Sequence, residues 1–317
     1  MARVLFLFLD GVGLGRPDPQ ANPFTAARLP ALESLLGGRA FVADTAPCEG
    51  ELATLLAVDA CLGMPGDPQS ASGQATLLTG RNIPRIIGEH YGPKPNEAIA
   101  AALREDNLFQ TVVQRGGRAQ LLNAYPPRYF ESIVSRRRLY SSIPLAAALA
   151  GLPLMTAEDL QGGRALSADF TGIGWAAQPD FPPAPVYEAG EAGRQLARLS
   201  LNADLTWFDY WPSDYAGHRA TLEQAVELLH TFDRVLGGLV EAWRHRPDLI
   251  VLTSDHGNLE DLAHRGHTLA PVPALLIGPL PLRRDFARGL TDLTGFHGAI
   301  LRTLFSAQGA SPTISGA

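Results

Sequence analysis

The sequence contains little cysteine and no long apolar run. Its two cysteines, Cys48 and Cys61, form no CxxC pair of the kind found in zinc or redox motifs, and such sparing use of cysteine fits a reducing compartment. The N-terminal apolar run, residues 5–9, is too short for the core of a signal peptide, and no run reaches the roughly 18 apolar residues of a membrane-spanning helix. We therefore expect a cytoplasmic protein with no membrane partner.

Lysine is almost absent, and the chain has no excess of positive charge. Lys94 is the only lysine among 26 basic residues, a bias that genomic base composition can explain and from which we draw nothing. The net charge of -6 at pH 7 gives no electrostatic reason to expect nucleic acid as a partner. With 46% hydrophobic and 18% charged residues, the 317-residue chain predicts a globular protein of one large core with an insertion, or of two domains.

Segments whose apolar residues have the spacing of a β-strand alternate with segments whose apolar residues have the spacing of an α-helix. The predicted strands are residues 4–9, 119–123, 204–210, 249–253 and 274–277, and the predicted helices are residues 25–36, 97–115, 190–199 and 222–243. This alternation predicts an α/β fold with a mostly parallel central sheet and helices on both faces. The pattern loosens over residues 89–185, which predicts a small inserted cap in a core formed by residues 1–88 and 186–317. The small polar tail after residue 305 is expected to fray.

Acidic residues and histidines follow the predicted strands repeatedly. In open parallel sheets, ligands bind beyond the carboxyl ends of the strands, so side chains that follow several strands meet at one edge. A single Asp in such a place is more often a helix or turn cap than a ligand, and a single Asp-His pair is as often part of a surface turn. Together, however, three Asp and three His supply the oxygen and imidazole ligands that two Zn²⁺ or Mn²⁺ ions require. The six candidates are Asp10, Asp214, His218, Asp255, His256 and His267.

Ser70 is the candidate nucleophile, within the glycine- and serine-rich stretch of residues 66–81. Pro68 precedes it, and the segment up to Gly80 is compatible with a helix that starts at about Ser70. A helix N-terminus favours both an alkoxide and an incoming phosphate. Ser70 could alternatively serve only as a helix cap. Ser72 and Thr76 stay open as competing nucleophiles.

Taken together, these motifs resemble the alkaline phosphatase superfamily, in the branch that contains cofactor-independent phosphoglycerate mutases and phosphopentomutases. The resemblance covers about residues 1–88 and 186–306. The matching elements are Asp10-Gly11, the stretch from Ser70 to Gly80-Arg81, Asp214 with His218, Asp255 through Asn258, and His267-Thr268 ahead of Pro271-Val272-Pro273.

The resemblance implies a reaction and a ligand set. One divalent ion would be held by Asp214, His218 and His267. The other would be held by Asp10, Asp255 and His256, with Ser70 beside it. The implied function is metal-dependent phosphoryl transfer on a small phosphorylated metabolite through a phosphoserine, as a phosphomutase (an isomerase) or a phosphomonoesterase (a hydrolase).

The substrate remains open at this stage, because the predicted insertion is much shorter than the one in mutases of this family. Arginines could bind a phosphate or carboxylate, although those of the insertion could equally form a solvated face. The candidates are Arg81, Arg85, Arg128 and Arg136, with Arg137, Arg138, Tyr125 and Tyr129 as further possibilities. A phosphodiesterase or phosphonate hydrolase on the same core, and a non-catalytic protein that binds a phosphorylated ligand, are the alternatives. The sequence predicts no oligomeric state.

Overall fold

A seven-stranded sheet lies at the centre of the computed structural model, which describes residues 2–305. The strands are β1 Val4–Leu9, β2 Cys48–Glu49, β3 Ala53–Val58, β4 Ala119–Leu121, β5 Ala124–Tyr125, β6 Met155–Thr156, β7 Leu205–Tyr210, β8 Leu249–Thr253 and β9 Val272–Ile277. The order in the main sheet is β2-β3-β9-β8-β1-β7-β4, and β5 pairs with β6 separately. Strands β8, β1, β7 and β4 run parallel, whereas β9, β3 and β2 add antiparallel pairs.

Helices cover both faces of this sheet. They are α1 Pro23–Ala26, α2 Pro30–Leu35, α3 Ser70–Thr79, α4 Ile83–Ile87, α5 Glu97–Glu105, α6 Leu108–Gln114, α7 Pro127–Val134, α8 Ser142–Leu149, α9 Ala157–Gln161, α10 Ile173–Ala176, α11 Ala189–Ser200, α12 Pro212–Arg219, α13 Leu222–Trp243, α14 Leu280–Ala287 and α15 Gly295–Phe305, with a 3₁₀ turn at Ala43–Thr45. No helix within residues 2–305 is both long enough and apolar enough to cross a bilayer.

Strand β1 shows how the sequence builds the two layers. Its residues are all buried, and successive side chains point to opposite faces of the sheet. Leu5, Leu7 and Leu9 join the apolar core that contains α11 and α13. Val4, Phe6 and Phe8 join the core on the other face, which contains α3, α5, α6 and α15. This continuous burial fixes the position at which β1 ends, and therefore the position of Asp10.

The predicted α/β class with helices on both faces is confirmed, and β1 and β8 have the predicted bounds. The sheet is mixed, because β9 lies antiparallel to β8, and the sequence analysis did not identify β3. Two predicted helices are each divided. Pro30 begins α2 after a break, and Asn107 caps α6 by accepting a hydrogen bond from the Gln110 backbone N–H at 3.1 Å.

The predicted cap, residues 89–185, contributes several of its elements to the main body. Strand β4 is an edge strand of the main sheet beside β7, and α5 and α8 pack against α3. Elsewhere in the same range, β5, β6 and α9 form a small unit with a separate apolar cluster around Trp175. The division into core and cap stays a prediction. Residues 306–317 of the predicted core, including the tail expected to fray, lie outside the described residues.

Candidate metal centre

Two carboxylates meet where β1 and β8 end side by side. Asp10 directly follows β1, and Asp255 lies two residues past the end of β8, so parallel pairing brings them to the same edge. Gln74 of α3 joins them, since its side-chain nitrogen donates to Oδ2 of Asp10 and to Oδ2 of Asp255, both at 3.3 Å. His256 Nε2 lies 3.4 Å from Asp10 Oδ1 and 3.7 Å from Asp255 Oδ1. The first cluster of potential ligands is thus Asp10, Asp255 and His256.

A second cluster, Asp214, His256 and His267, lies beside the first. Asp214 is in the first turn of α12, just after β7. The Asp214 Oδ1 atom is 3.8 Å from His267 Nε2 and 3.4 Å from His218 Nε2, and the rings of His256 and His267 stack with centroids 3.7 Å apart. All six predicted side chains therefore lie close together. The second cluster, however, contains His256 in the place where His218 was predicted. Their role as metal ligands stays a prediction.

The three imidazoles share an orientation suited to metal binding. Nδ1 of His218, His256 and His267 faces a backbone carbonyl oxygen, of Arg265, Gly257 and Pro68 respectively, at 3.0, 3.3 and 2.7 Å. A carbonyl can only accept, so these contacts favour the tautomer with the proton on Nδ1. Nε2 then presents a lone pair toward the carboxylates.

The electrostatics of the cluster also fit cations. Burial, followed by the charges of Asp255, Asp214 and Asp209, raises the pKa of Asp10 well above its usual range. Burial and Asp214 raise the pKa of Asp255 to about 7, and burial lowers the pKa values of His256 and His267. Asp10 Oδ1 is buried and has no hydrogen-bond partner among the described residues. A divalent cation would compensate these crowded carboxylates and accept the unpaired oxygen as a ligand.

Ser70 is the candidate hydroxyl that faces this cluster. It is the first residue of α3, so it is not the cap residue, which is Gln69. Its Oγ lies 3.0 Å from His256 Nε2. Both competing hydroxyls bond to the backbone: Ser72 Oγ donates to Gln69 O at 3.1 Å, and Thr76 Oγ1 donates to Ser72 O at 2.8 Å. The geometry therefore favours Ser70.

Sequence reasoning missed the side chains that position the cluster. Asn258 donates to Asp214 Oδ1 at 2.7 Å. Glu260, which is almost fully buried, accepts the backbone N–H groups of Gly13 and Asn258, both at 2.8 Å, and the hydroxyl of Thr268. Glu260 therefore ties together three loops of the site. Asn258 could have been identified from its place in the Asp-His-Gly-Asn motif, whereas Glu260 lies outside that motif.

The contacts of the predicted substrate arginines in the described residues are with other parts of the chain. Arg81 lies past the C-terminal end of α3, about 15 Å along the helix from Ser70, and pairs with Glu105 at 2.7 Å. Arg85 follows in α4 and is exposed. Arg128 is exposed and covers the Phe181 ring at 4.3 Å. Arg136 is exposed too, with a φ of 57°. A role for these arginines stays a prediction.

Residues 188–302 match the family model of the Metalloenzyme superfamily. A 2,3-bisphosphoglycerate-independent phosphoglycerate mutase of Halobacterium salinarum is 31% identical over 156 residues, which are 43% of this chain and 31% of that protein. The segments matched in such curated relatives cover only 16% to 31% of their length.

Two solved structures share the fold. The PH0037 protein of Pyrococcus horikoshii superposes with a TM-score of 0.58 at 15% identity, covering 98% of both chains. The alkaline phosphatase of the Antarctic bacterium TAB5 superposes with a TM-score of 0.51 at 12% identity, covering 96% of this chain and 99% of that one. At these identities the likeness shows the fold alone.

Proposed function

We propose that this chain, which belongs to the metalloenzyme superfamily and has an alkaline-phosphatase-like fold, catalyses metal-dependent phosphoryl transfer through a phosphoserine at Ser70. The observation that carries this proposal is the 3.0 Å approach of Ser70 Oγ to His256, within a buried cluster of aspartates and histidines. The name of a similar protein, a phosphoglycerate mutase, supports the same class of reaction.

The donor set fits two divalent ions, Mn²⁺ or Zn²⁺. Asp10, Asp255 and His256 would hold one, and Asp214, His218 and His267 the other. When bound, such ions lower the pKa of a neighbouring hydroxyl and stabilise negative charge on the attacking and leaving oxygens.

The chain itself supplies the nucleophile and its orientation. Ser70 stands in the first turn of α3, where unpaired backbone N–H groups and the helix dipole favour a phosphate. As Ser70 Oγ bonds to phosphorus, its hydroxyl proton passes to solvent water, the bond from phosphorus to the leaving oxygen breaks, and the leaving oxygen takes up a proton from water. A second acceptor oxygen then takes the phosphoryl group from Ser70. Water as acceptor gives a phosphomonoesterase, and another hydroxyl of the substrate gives a phosphomutase.

The test combines turnover with trapping of the phosphorylated residue. The wild-type protein with Mn²⁺ or Zn²⁺ should hydrolyse or isomerise phosphomonoesters, and mass spectrometry of quenched samples should find phosphate on Ser70. Ser70→Ala should lose turnover by orders of magnitude while keeping its metal content. Ser72→Ala is the matched control: it removes a hydroxyl that bonds only to the backbone of Gln69 and Tyr91, so it should keep turnover within about an order of magnitude of wild type. An active Ser70→Ala variant would show that the nucleophile is another group.

The substrate panel separates the alternatives. Phosphodiesters and phosphonates test the related hydrolases on the same core, and 3-phosphoglycerate tests mutase activity by the appearance of 2-phosphoglycerate. Metal binding without turnover of any member would favour the non-catalytic alternative.

A further inference from the structure

A second polar cluster, here called the tyrosine pocket, consists of Tyr125, Tyr129, Arg138 and Asp209. The rings of Tyr125 and Tyr129 stack with centroids 4.5 Å apart, and the Arg138 guanidinium lies 5.0 Å from the Tyr129 ring centroid. Tyr125, Tyr129 and Asp209 are 5%, 6% and 7% exposed. Both phenol hydroxyls and Asp209 Oδ1 lack a hydrogen-bond partner among the described residues. Buried polar atoms rarely remain unpaired, so this arrangement indicates a ligand.

Lys94 reaches this pocket from a segment anchored beside the nucleophile. The backbone N–H of Ser72 donates to Tyr91 O at 2.9 Å, and the N–H of Tyr91 donates to Ser72 Oγ at 3.0 Å. One residue further on, a Cβ on Gly92 would lie 3.3 Å from the Ser70 backbone nitrogen. Lys94 therefore emerges close to the start of α3.

The charges of Asp10 at the metal centre and of Arg138 and Asp209 at the tyrosine pocket all act on Lys94. Burial and the positive charge of Arg138 lower the pKa of Lys94, while Asp209 and Asp10 act in the opposite direction. Lys94 forms no salt bridge within residues 2–305, although it is partly buried. A half-buried ammonium without a carboxylate partner is suited to an anionic ligand.

The pocket lies to one side of the metal centre. Asp209 is in β7, opposite Phe8 of β1, and Tyr125 and Tyr129 belong to β5 and α7. A substrate whose phosphoryl group is at Ser70 would therefore direct its remaining atoms toward Lys94 and Arg138. Two cations and two phenol donors can bind an anion there, while Asp209 can accept from a substrate hydroxyl.

We propose that Lys94 and Arg138, with the hydroxyls of Tyr125 and Tyr129, bind a second anionic group of the substrate, a carboxylate or phosphate separate from the phosphoryl group transferred at Ser70. This inference rests on the proposed function and narrows its substrate class to phosphorylated compounds with two anionic groups. It assigns substrate binding to Tyr125, Tyr129 and Arg138, which were further candidates from the sequence, and to Lys94, which was not.

The single lysine provides a test that does not require turnover. The Ser70→Ala variant is loaded with Mn²⁺ and its amines are acetylated. Because Lys94 is the only lysine, peptide mass spectrometry of its acetylation reports the reactivity of that one side chain. The probes are 3-phosphoglycerate and 2,3-bisphosphoglycerate, which carry two or more anionic groups, with glycerol 3-phosphate and inorganic phosphate as matched single-anion probes. At about ten times its Kd, a two-anion probe should slow acetylation about tenfold, because about nine-tenths of the protein is then occupied.

Single-anion probes at equal occupancy should leave Lys94 reactive. If inorganic phosphate protected Lys94 as strongly as 3-phosphoglycerate does, Lys94 would bind the transferred phosphoryl group. That result would overturn the proposal. Absence of protection by both two-anion probes would overturn it as well. Because acetylation measures binding, protection of Lys94 can be observed even if Ser70 proves not to be the nucleophile, so the two proposals fail separately.

Kinetics give a second measurement on the intact active protein. Lys94→Met keeps the length of the side chain and should raise KM for the two-anion substrate about tenfold, equivalent to about 1.4 kcal/mol, with kcat less affected. KM for glycerol 3-phosphate should change little. Arg104→Met, which removes an exposed cation that pairs with Glu97, is the control for general loss of charge. Equal effects of Lys94→Met on both substrates would contradict the assignment.

Discussion

At the scale of single residues, Asp209 is the clearest case of a side chain that destabilises the fold. Burial, followed by the charge of Asp255, raises its pKa to about 7, although Lys94 acts in the opposite direction. A raised pKa means that the folded state binds the proton more tightly than the unfolded state does. Stability of the metal-free protein is therefore lost as pH rises from about 4 to about 7, by at most about 4 kcal/mol from this group.

Asp209→Asn removes this titration and should make the metal-free protein more stable than wild type at pH 8, with a smaller difference at pH 5. Urea unfolding in EDTA at the two pH values measures the effect. Asp180→Asn changes an exposed carboxylate in the same way and should have little effect at either pH. A variant at Asp209 that is equally destabilised at both pH values would show that the carboxylate makes a favourable contact instead.

Asp255 should matter for metal retention, because its carboxylate is fully buried within the first ligand cluster. Asp255→Asn keeps the shape but removes the charge, so metal content after dialysis should fall strongly, with activity falling by orders of magnitude. Elemental analysis provides the measurement. Asp261→Asn, in the same loop but bonded to the Ala263 backbone, is the matched control. Full metal occupancy in Asp255→Asn would remove Asp255 from the ligand set.

At the scale of elements, α11 and α13 cross so closely that glycine is required on both. A Cβ on Gly238 would overlap the carbonyl oxygen of Gly190, and one on Gly193 would overlap that of Val235. Gly238→Ala should therefore lower the free energy of unfolding by about 1–3 kcal/mol through overpacking. Denaturant unfolding measures this loss.

The neighbouring Gly237 supplies the control. Its Cβ would lie 3.5 Å from the Cβ of Ala31, an ordinary contact, and alanine favours a helix interior over glycine by about 0.5–1 kcal/mol. Gly237→Ala should leave stability unchanged or increase it. If Gly238→Ala behaved in the same way, the helices would have room to separate.

Local patterns predicted the elements whose burial is continuous or strictly periodic. Strand β1 and helix α13 have the predicted bounds because an unbroken apolar run and a capped amphipathic repeat leave little freedom. The direction of β9 could not be predicted, since it depends on pairing with β3, which is distant in sequence. Asn107, the N-cap of α6, marks the break between α5 and α6 in the sequence. The helical spacing of apolar residues continues across this break, so one longer helix was predicted.

At the scale of the whole molecule, the sheet explains both what the sequence predicted at the site and what it missed. Asp10, Asp214 and Asp255 could be predicted because each follows a strand and parallel strands end together. Neither Lys94 nor Glu260 directly follows a strand of the parallel part of the sheet. Lys94 reaches the site through contacts between its loop and α3, and Glu260 through hydrogen bonds between loops, which only the folded chain specifies.

That concentration of carboxylates at one sheet edge predicts how metals affect the stability of the whole molecule. Burial and mutual repulsion raise the pKa values of Asp10 and Asp255, so the metal-free fold is destabilised above neutral pH. A divalent ion that binds only the folded state adds about 2.7 kcal/mol at one hundred times its Kd. Thermal unfolding at pH 8 should therefore show a Tm several degrees higher with Mn²⁺ or Zn²⁺ than with EDTA. Ser70→Ala should keep this shift and Asp255→Asn should lose most of it, whereas an unchanged Tm in EDTA would mean that the cluster is stable without cations.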